Sequence, residues 1–249
     1  MSIAVLDCGP VRVHQLQLGP MSNYQYVLDN GKVAVTVDAA WDIPKIRRYV
    51  EKKELRLVAG LYTHGHFDHV GGKFPGSSEG PVQGALELQD LPLYLGVRDI
   101  EAAELQTQVA ASKWHPLKEG DKVQLLGDDV QIWVIDTPGH TLGGVTFWVE
   151  GNFHEACGEG LMFTGDTLFL KNVGRTDLPG GDPTSLQRSL ARLSGAVDGA
   201  QILPGHSYDS PPKRADLATV RRTNSAMKAA MARFPSPPPL PWSRSKVEL

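Results

Sequence analysis

Four side chains able to bind a metal ion fall within six residues of this sequence: His64, His66, Asp68 and His69, in the run His64-Gly-His-Phe-Asp-His. Imidazole nitrogens and carboxylate oxygens are good ligands for zinc, and also for iron or manganese. Three further candidates, His140, Asp166 and His206, each follow a glycine. A carboxylate has two oxygens and can bridge two ions, which makes Asp166 the natural bridge in a centre of two divalent metals. Such a pair lowers the pKa of a shared water towards neutrality and polarises a carbonyl or phosphoryl group. A lone histidine is more often structural than a ligand, but five of the eight histidines here fall in these motifs. His14, His115 and His154 lack such company and read as structural or surface residues: His14 in an edge strand, His115 in a loop, His154 beside Cys157 in a long hairpin.

A helix cannot aim four neighbouring side chains at one point, whereas a strand end followed by a tight turn can. Gly65 supplies freedom for that turn, and residues 57–63 form a mainly apolar strand that leads into it. Residues 130–135, 161–164 and 201–203 read as strands that run on to His140, Asp166 and His206. Further strands are expected at 11–18, 24–28, 33–37, 122–126 and 145–149, with Asn30-Gly31 as a hairpin turn. Asp42 before Ile43-Pro44 predicts a helix N-cap, with Ile43, Ile46 and Val50 on one face. Asp182 predicts a second cap for a helix ending near Leu193, and a last helix is expected over 215–233. The stretch 84–113 reads as a mostly helical insertion beside the site. Phe234-PSPPPLPW opens a proline-rich tail that should not be helical, either a PxxP-type ligand or an extended segment lying on the surface. These readings give a single domain over 1–234 and a tail over 235–249.

Of the 249 residues, 41% are hydrophobic and 21% charged, with a formal net charge of −3, which excludes the basic excess of a nucleic-acid binder. No apolar run approaches the roughly 20 residues of a membrane span, and the N-terminus lacks a secretory h-region. Cys8 and Cys157 are too few for a disulfide framework, so a reducing, cytoplasmic setting is expected.

THGHFDHVGG (63–72), TPGHTLGG (137–144), FTGDTLF (163–169) and LPGH (203–206) resemble the metal motifs of the metallo-β-lactamase superfamily, in order and spacing. The resemblance spans Val11 to His206 and implies an α/β fold, the αββα sandwich of two mixed β-sheets flanked by helices. It implies that His64, His66 and His140 hold one metal, that Asp68, His69 and His206 hold the other, and that Asp166 bridges. The segment DTLFLKNVGRTDLPGGD (166–182) and the element Arg222-Thr-Asn224 are similar to short glyoxalase II-like enzymes.

That narrower resemblance implies a metal-dependent hydrolase acting on a small-molecule thioester or ester, with Asp68 also orienting the nucleophile. Zinc is the first-choice metal, with iron or manganese as alternatives. The 43 residues after His206 are too few for a full helical glutathione-binding domain. Lys213, Arg214, Arg221 and Arg222 are candidates for a glycyl carboxylate, though solvated surface charges are the simpler reading. Tyr94 and Trp114 are expected to shape the pocket, and Arg175 to hold its loop through Asp177. Two rival activities use the same ligands: a mono-iron persulfide dioxygenase, through His64, His140 and Asp166, and a lactone or ester hydrolase. A scaffold role predicts lost ligands, a nuclease predicts a basic surface, and a flavodiiron-like centre predicts a carboxylate in place of His66. None of these features is present.

Overall fold

The computed structural model describes residues 2–73, 80–208 and 213–244. The first half of the chain forms strands β1 (Ser2–Asp7), β2 (Arg12–Leu18), β3 (Asn23–Asp29) and β4 (Val33–Val37), then helix α1 (Ile43–Glu51), β5 (Arg56–Tyr62) and the single turn α2 (Phe67–Val70). It continues through β6 (Leu93–Gly96), α3 (Ile100–Thr107) and β7 (Trp114–Leu117). The second half comprises β8 (Lys122–Val123), β9 (Val130–Asp136), β10 (Val145–Gly151), β11 (Leu161–Gly165), α4 (Pro183–Leu193), β12 (Gln201–Pro204) and β13 (Ala215–Asp216). Three helices follow: α5 (Leu217–Thr223), α6 (Ser225–Arg233) and α7 (Pro241–Arg244).

Alternation along the strands decides how these elements stack. Ile132 and Val134 of β9 face one cluster while Trp133 and Ile135 face another, and Phe147 and Trp148 of β10 divide the same way. In the first sheet Leu28 and Val27 point to opposite sides, as do Leu61 and Tyr62. Both sheets are therefore apolar on both faces and need three apolar interfaces. A central one joins the sheets, and one outer layer contains α1 and α3 while the other contains α4 to α6. The result is the αββα sandwich. Its sheets run β1-β2-β3-β4-β5-β6-β7 and β13-β12-β11-β10-β9-β8. Both are mixed, parallel from β4 to β7 and between β11 and β12. Ile43, Ile46 and Val50 seat α1 on the first sheet, each contributing about 1.5–3 kcal/mol relative to exposure.

Several expectations are corrected at the level of elements. The stretch 84–113 is largely helical, but it also carries β6, which pairs in parallel with β5 and β7 and so is woven into the first sheet. His115 lies in β7, stacked on Tyr94, rather than in a loop. His14 does not sit on an edge strand, because β1 covers β2. It is buried, bonded through Nε2 to Asp29 at 2.6 Å and through Nδ1 to the Tyr49 hydroxyl at 2.9 Å. Asp182 caps α4 as expected, accepting from Ser185 N. Asp42 instead adopts a left-handed conformation (φ 54°), and its carboxylate pairs with Lys45.

The expected helix over 215–233 breaks at Asn224, whose side chain caps α6 by accepting from Met227 N. The tail is not devoid of helix: Pro241 occupies the first position of α7, where its missing N–H removes no helical bond. Leu240 is buried, and Trp242 stacks on Trp148 with centroids 4.6 Å apart. The last five residues lie outside the described ones. Cys8 and Cys157 are joined as a disulfide across 149 residues of sequence, so the reading of two reduced thiols, and the reducing setting inferred from it, lose their basis. Among the described residues no helix is long and apolar enough to cross a membrane.

Candidate metal centre

Strand direction gathers the seven expected ligands at one edge of the sandwich. The parallel neighbours β4, β5 and β6 end together, and the residues just beyond them include Asp38, His64 and Asp99. In the second sheet β9, β11 and β12 share a direction and run on to His140, Asp166 and His206. The two edges are tied by Val145 N donating to Thr63 O at 2.8 Å and Tyr24 N donating to Gly205 O at 2.8 Å. Gly205 admits the close approach this demands: a Cβ there would lie 2.5 Å from Asp166 Oδ1 and 2.8 Å from the His69 ring.

The ligand atoms form three overlapping sets, each within 4.8 Å: His64, His66 and His140; Asp68, His69 and His206; His64, His69 and Asp166. Asp166 lies between the first two. Its Oδ1 is 3.3 Å from His69 Nε2, and its Oδ2 is 3.4 Å from His206 Nε2 and 3.6 Å from His140 Nε2. Within the second set, His206 Nε2 is 3.2 Å from Asp68 Oδ2. His64 Nε2, His140 Nε2 and Asp166 Oδ1 are buried with no hydrogen-bond partner among the described residues. Buried polar atoms rarely stay unpaired, and a cation would satisfy all three. The histidine and aspartate groups thus fit a dinuclear metal site.

Charge divides the site into two kinds of histidine. Burial, reinforced by neighbouring imidazoles, holds His64 well below its usual range and His66 down to about 4, leaving both neutral. His69 and His206 behave oppositely. Burial works against their charged forms, yet Asp68 and Asp166 outweigh it at His69, and Asp166 chiefly does so at His206, raised to about 9. The same contacts hold Asp68 down to about 2 and Asp166 well below the carboxylate range, again against burial. The two carboxylates therefore demand positive charge nearby, and a bound cation would supply it in place of these protons.

The residues that orient the ligands were not anticipated from sequence. Asp38 accepts from Thr63 N at 2.7 Å and from the Thr63 hydroxyl at 2.8 Å, and its Oδ2 lies 3.1 Å from His69 Nδ1. Asn23 donates to both Asp68 O and Asp68 Oδ2 at 3.0 Å, while its own oxygen accepts from the Trp41 indole at 3.1 Å. His140 Nδ1 donates to Arg175 O at 2.7 Å, and His206 Nδ1 donates to Met21 O at 2.9 Å. Such partners fix which ring nitrogen faces the metal. Asp99 accepts from Gly65 N, Gly143 N and the Thr141 hydroxyl, joining the loop of His64 and His66 to that of His140.

A cavity of about 1000 Å³ opens onto these ligands, walled by α3, by the β9–β10 loop and by the segment after Asp166. Arg175 in that segment pairs with Asp177 at 2.6 Å, as expected. Asn224 secures the same segment by donating to Phe169 O and Asn172 O at 3.0 Å. Tyr94 and Trp114 do not line the cavity: Tyr94 stacks on His115, and Trp114 packs in the outer core against Tyr62. Arg98, Glu101 and Leu105 border it instead, with Tyr208, which stacks on His206 at 4.5 Å. Lys213, Arg214, Arg221 and Arg222 are not among the lining residues. Arg221 pairs with Asp198.

Over residues 18–206 the sequence matches the Metallo-beta-lactamase superfamily, and the chain belongs to it. It is 29% identical over 207 residues to the probable metallo-hydrolase YqgX of Bacillus subtilis (strain 168), which covers 79% of this chain and 90% of that one. Identity is also 29% over 191 residues with the hydroxyacylglutathione hydrolase of Methylobacillus flagellatus, covering 75% of this chain and 62% of that enzyme. Among solved structures, the di-iron-bound form of TTHA1623 superimposes with a TM-score of 0.61 at 32% identity, covering 85% of this chain and 98% of the other.

Proposed function

We propose that this chain is a metal-dependent thioesterase of glyoxalase II type, hydrolysing an acyl-thiol of the S-lactoylglutathione class to a carboxylic acid and a thiol. His64, His66 and His140 would hold one ion, Asp68, His69 and His206 the other, and Asp166 would bridge. Zinc is the metal we propose, with iron as the alternative in view of the di-iron form of TTHA1623. When bound, the pair supplies a hydroxide available near neutral pH and a Lewis acid for the scissile carbonyl.

The protein's own groups do the positioning. Asp68, kept ionised by His69 and His206 against the effect of burial, accepts a hydrogen bond from the attacking water and orients it. Asn23 holds that carboxylate from behind. The carbonyl carbon gains the water oxygen and loses sulfur. A thiolate leaves readily because its conjugate acid has a pKa of only about 8.5.

The observation that carries this reading is the glyoxalase II-like segment 166–182, whose Arg175 carbonyl accepts from His140 Nδ1 and whose Asn172 and Val173 wall the cavity. Hydroxyacylglutathione hydrolases among the relatives support it. The test is a panel of acyl-thiols, beginning with S-D-lactoylglutathione, assayed on metal-replete protein. Absence of cleavage across the whole panel would sink the proposal.

A second reading, a mono-iron persulfide dioxygenase, gains from one observation. The three buried candidate ligand atoms with no hydrogen-bond partner among the described residues belong to His64, His140 and Asp166, the trio that reading requires. One iron per chain together with oxygen uptake on glutathione persulfide would establish it in place of the thioesterase.

A further inference from the structure

We infer that the cavity above the candidate metal centre selects thioesters whose acyl part is an apolar chain considerably longer than lactoyl. This rests on the thioesterase reading for the chemistry, but its structural argument is separate.

Seven large hydrophobic side chains are exposed among the described residues, and three of them, Leu105, Leu142 and Tyr208, border this one cavity. Leu105 is 79% exposed and Leu142 54%. Exposed apolar groups scattered singly need no explanation, whereas a cluster around a concave site points to a ligand. The inward side of α3 is formed by Ala103 and Thr107, so Leu105 adds nothing to the core. It stands with Ala102 on the cavity side of that helix, three residues apart and hence on one face. Leu142 comes from the β9–β10 loop, and Val173 and Leu178 come from the segment after Asp166. Three unrelated stretches of chain thus present apolar side chains to one space.

Charge points the same way. Arg98 and Arg175 also reach the cavity, but each is held by an aspartate, Arg98 by Asp136 at 3.4 Å and Arg175 by Asp177 at 2.6 Å. The wall therefore presents no unpaired arginine to an anionic acyl group. Its volume of about 1000 Å³ lies at the upper end of the range for small-molecule sites, leaving room for a long acyl chain beside the thiol part. The floor is the ligand cluster, with Asp68, His140, Asp166 and His206 all buried, while the apolar wall lies outward of it. A thioester with its carbonyl on the floor would lay its acyl chain along Leu105 and Leu142. Each methylene so buried favours binding roughly fourfold, from about 0.8 kcal/mol per CH₂.

The experiment compares kcat/KM for acetyl, butanoyl, hexanoyl and octanoyl thioesters of N-acetylcysteamine, using metal-replete protein. We expect at least a tenfold rise from acetyl to octanoyl. Leu105→Asp and Leu142→Asp, both at exposed positions, should reduce the octanoyl-to-acetyl ratio at least fivefold. Cleavage with a flat or falling dependence on chain length would overturn the inference and leave the thioesterase reading standing. If no thioester is cleaved, that reading fails, and binding of octanoate measured by calorimetry decides the inference alone. Binding weakened at least fivefold by Leu105→Asp supports it, and absence of binding to the wild-type protein overturns it.

Discussion

The carboxylate of Asp99 accepts the hydroxyl of Thr141 at 2.7 Å, joining the start of α3 to the loop that carries His140. The same carboxylate accepts from Gly65 N and Gly143 N, so one buried side chain holds together two candidate ligand loops whose glycines lie 78 residues apart. Gly143 is small because Asp99 sits against it: a Cβ there would lie 2.4 Å from Asp99 N.

Asp99→Ala would leave two backbone N–H groups and a hydroxyl buried without acceptors. We expect a loss of about 3 kcal/mol in stability and a fall of roughly 10–100-fold in metal affinity. Asp99→Asn keeps one acceptor oxygen and should fall between. Urea unfolding of the metal-free protein and metal titration measure the two effects separately. An unchanged midpoint with unchanged metal content in Asp99→Ala would contradict the role assigned to Asp99.

That residue shows where sequence reading stops. The candidate ligands His64, His66, Asp68, His69, His140, Asp166 and His206 were legible because four crowd one hexapeptide and the other three each follow a glycine at the end of an apolar run. Asp99 is one of many acidic residues, and its three donors lie 34 to 44 residues away. Asn23 and Asp38 are hidden in the same way. Strands β6 and β7 have four residues each, too short to show a period of two. The helical pattern of 215–233 runs unbroken through Asn224, and only the tertiary contacts of its amide to Phe169 and Asn172 reveal the break. The sequence signals no strand before residue 11, so β2 reads as an edge strand although β1 pairs with it.

Metal should stabilise the fold as well as activate it. His64 Nε2, His140 Nε2 and Asp166 Oδ1 have no hydrogen-bond partner among the described residues, so the folded state should bind an ion far more tightly than the unfolded chain. At free metal about 100-fold above Kd the gain is about 2.7 kcal/mol, or roughly 5–10 °C in Tm for a chain of this size. Calorimetry of chelator-treated and reloaded protein measures it. Identical melting of the two forms would argue against a metal at this site.

Far from the centre, Asp29 accepts from the His14 ring at 2.6 Å and from Arg12 Nε at 3.1 Å and Nη2 at 2.5 Å. Burial would raise its pKa, but these bonds outweigh burial and hold it at about 2, below the ordinary value of 3.8. A depressed carboxyl pKa contributes stability that is complete above the unfolded value and disappears as pH falls through the folded one. The contribution, about 2 kcal/mol, should therefore be intact above pH ~5 and lost between pH ~4 and ~2. Unfolding free energies of wild type and Asp29→Asn across that range isolate it from the metal ligands, which both proteins share. A difference that does not change with pH would exclude this account.

The Cys8–Cys157 bond ties the end of β1 to the β10–β11 connection and closes a loop of 149 residues. Beside it, His154 N donates to Cys8 O at 3.1 Å, and a Cβ on Gly9 would meet the His154 ring at 2.8 Å, so the joined segments are also packed. A cross-link over so long a loop restricts the unfolded chain strongly and contributes about 3 kcal/mol. Reduction, or the double change Cys8→Ser and Cys157→Ser, should lower Tm by roughly 10 °C. The ligand-bearing strand ends lie elsewhere and keep their hydrogen bonds, so metal content should be unaffected. Melting curves with and without reductant, paired with metal quantification, test both halves. Loss of metal on reduction would mean that the bond, rather than the hydrogen bonds of Asp38, Asn23 and Asp99, holds the ligands in register.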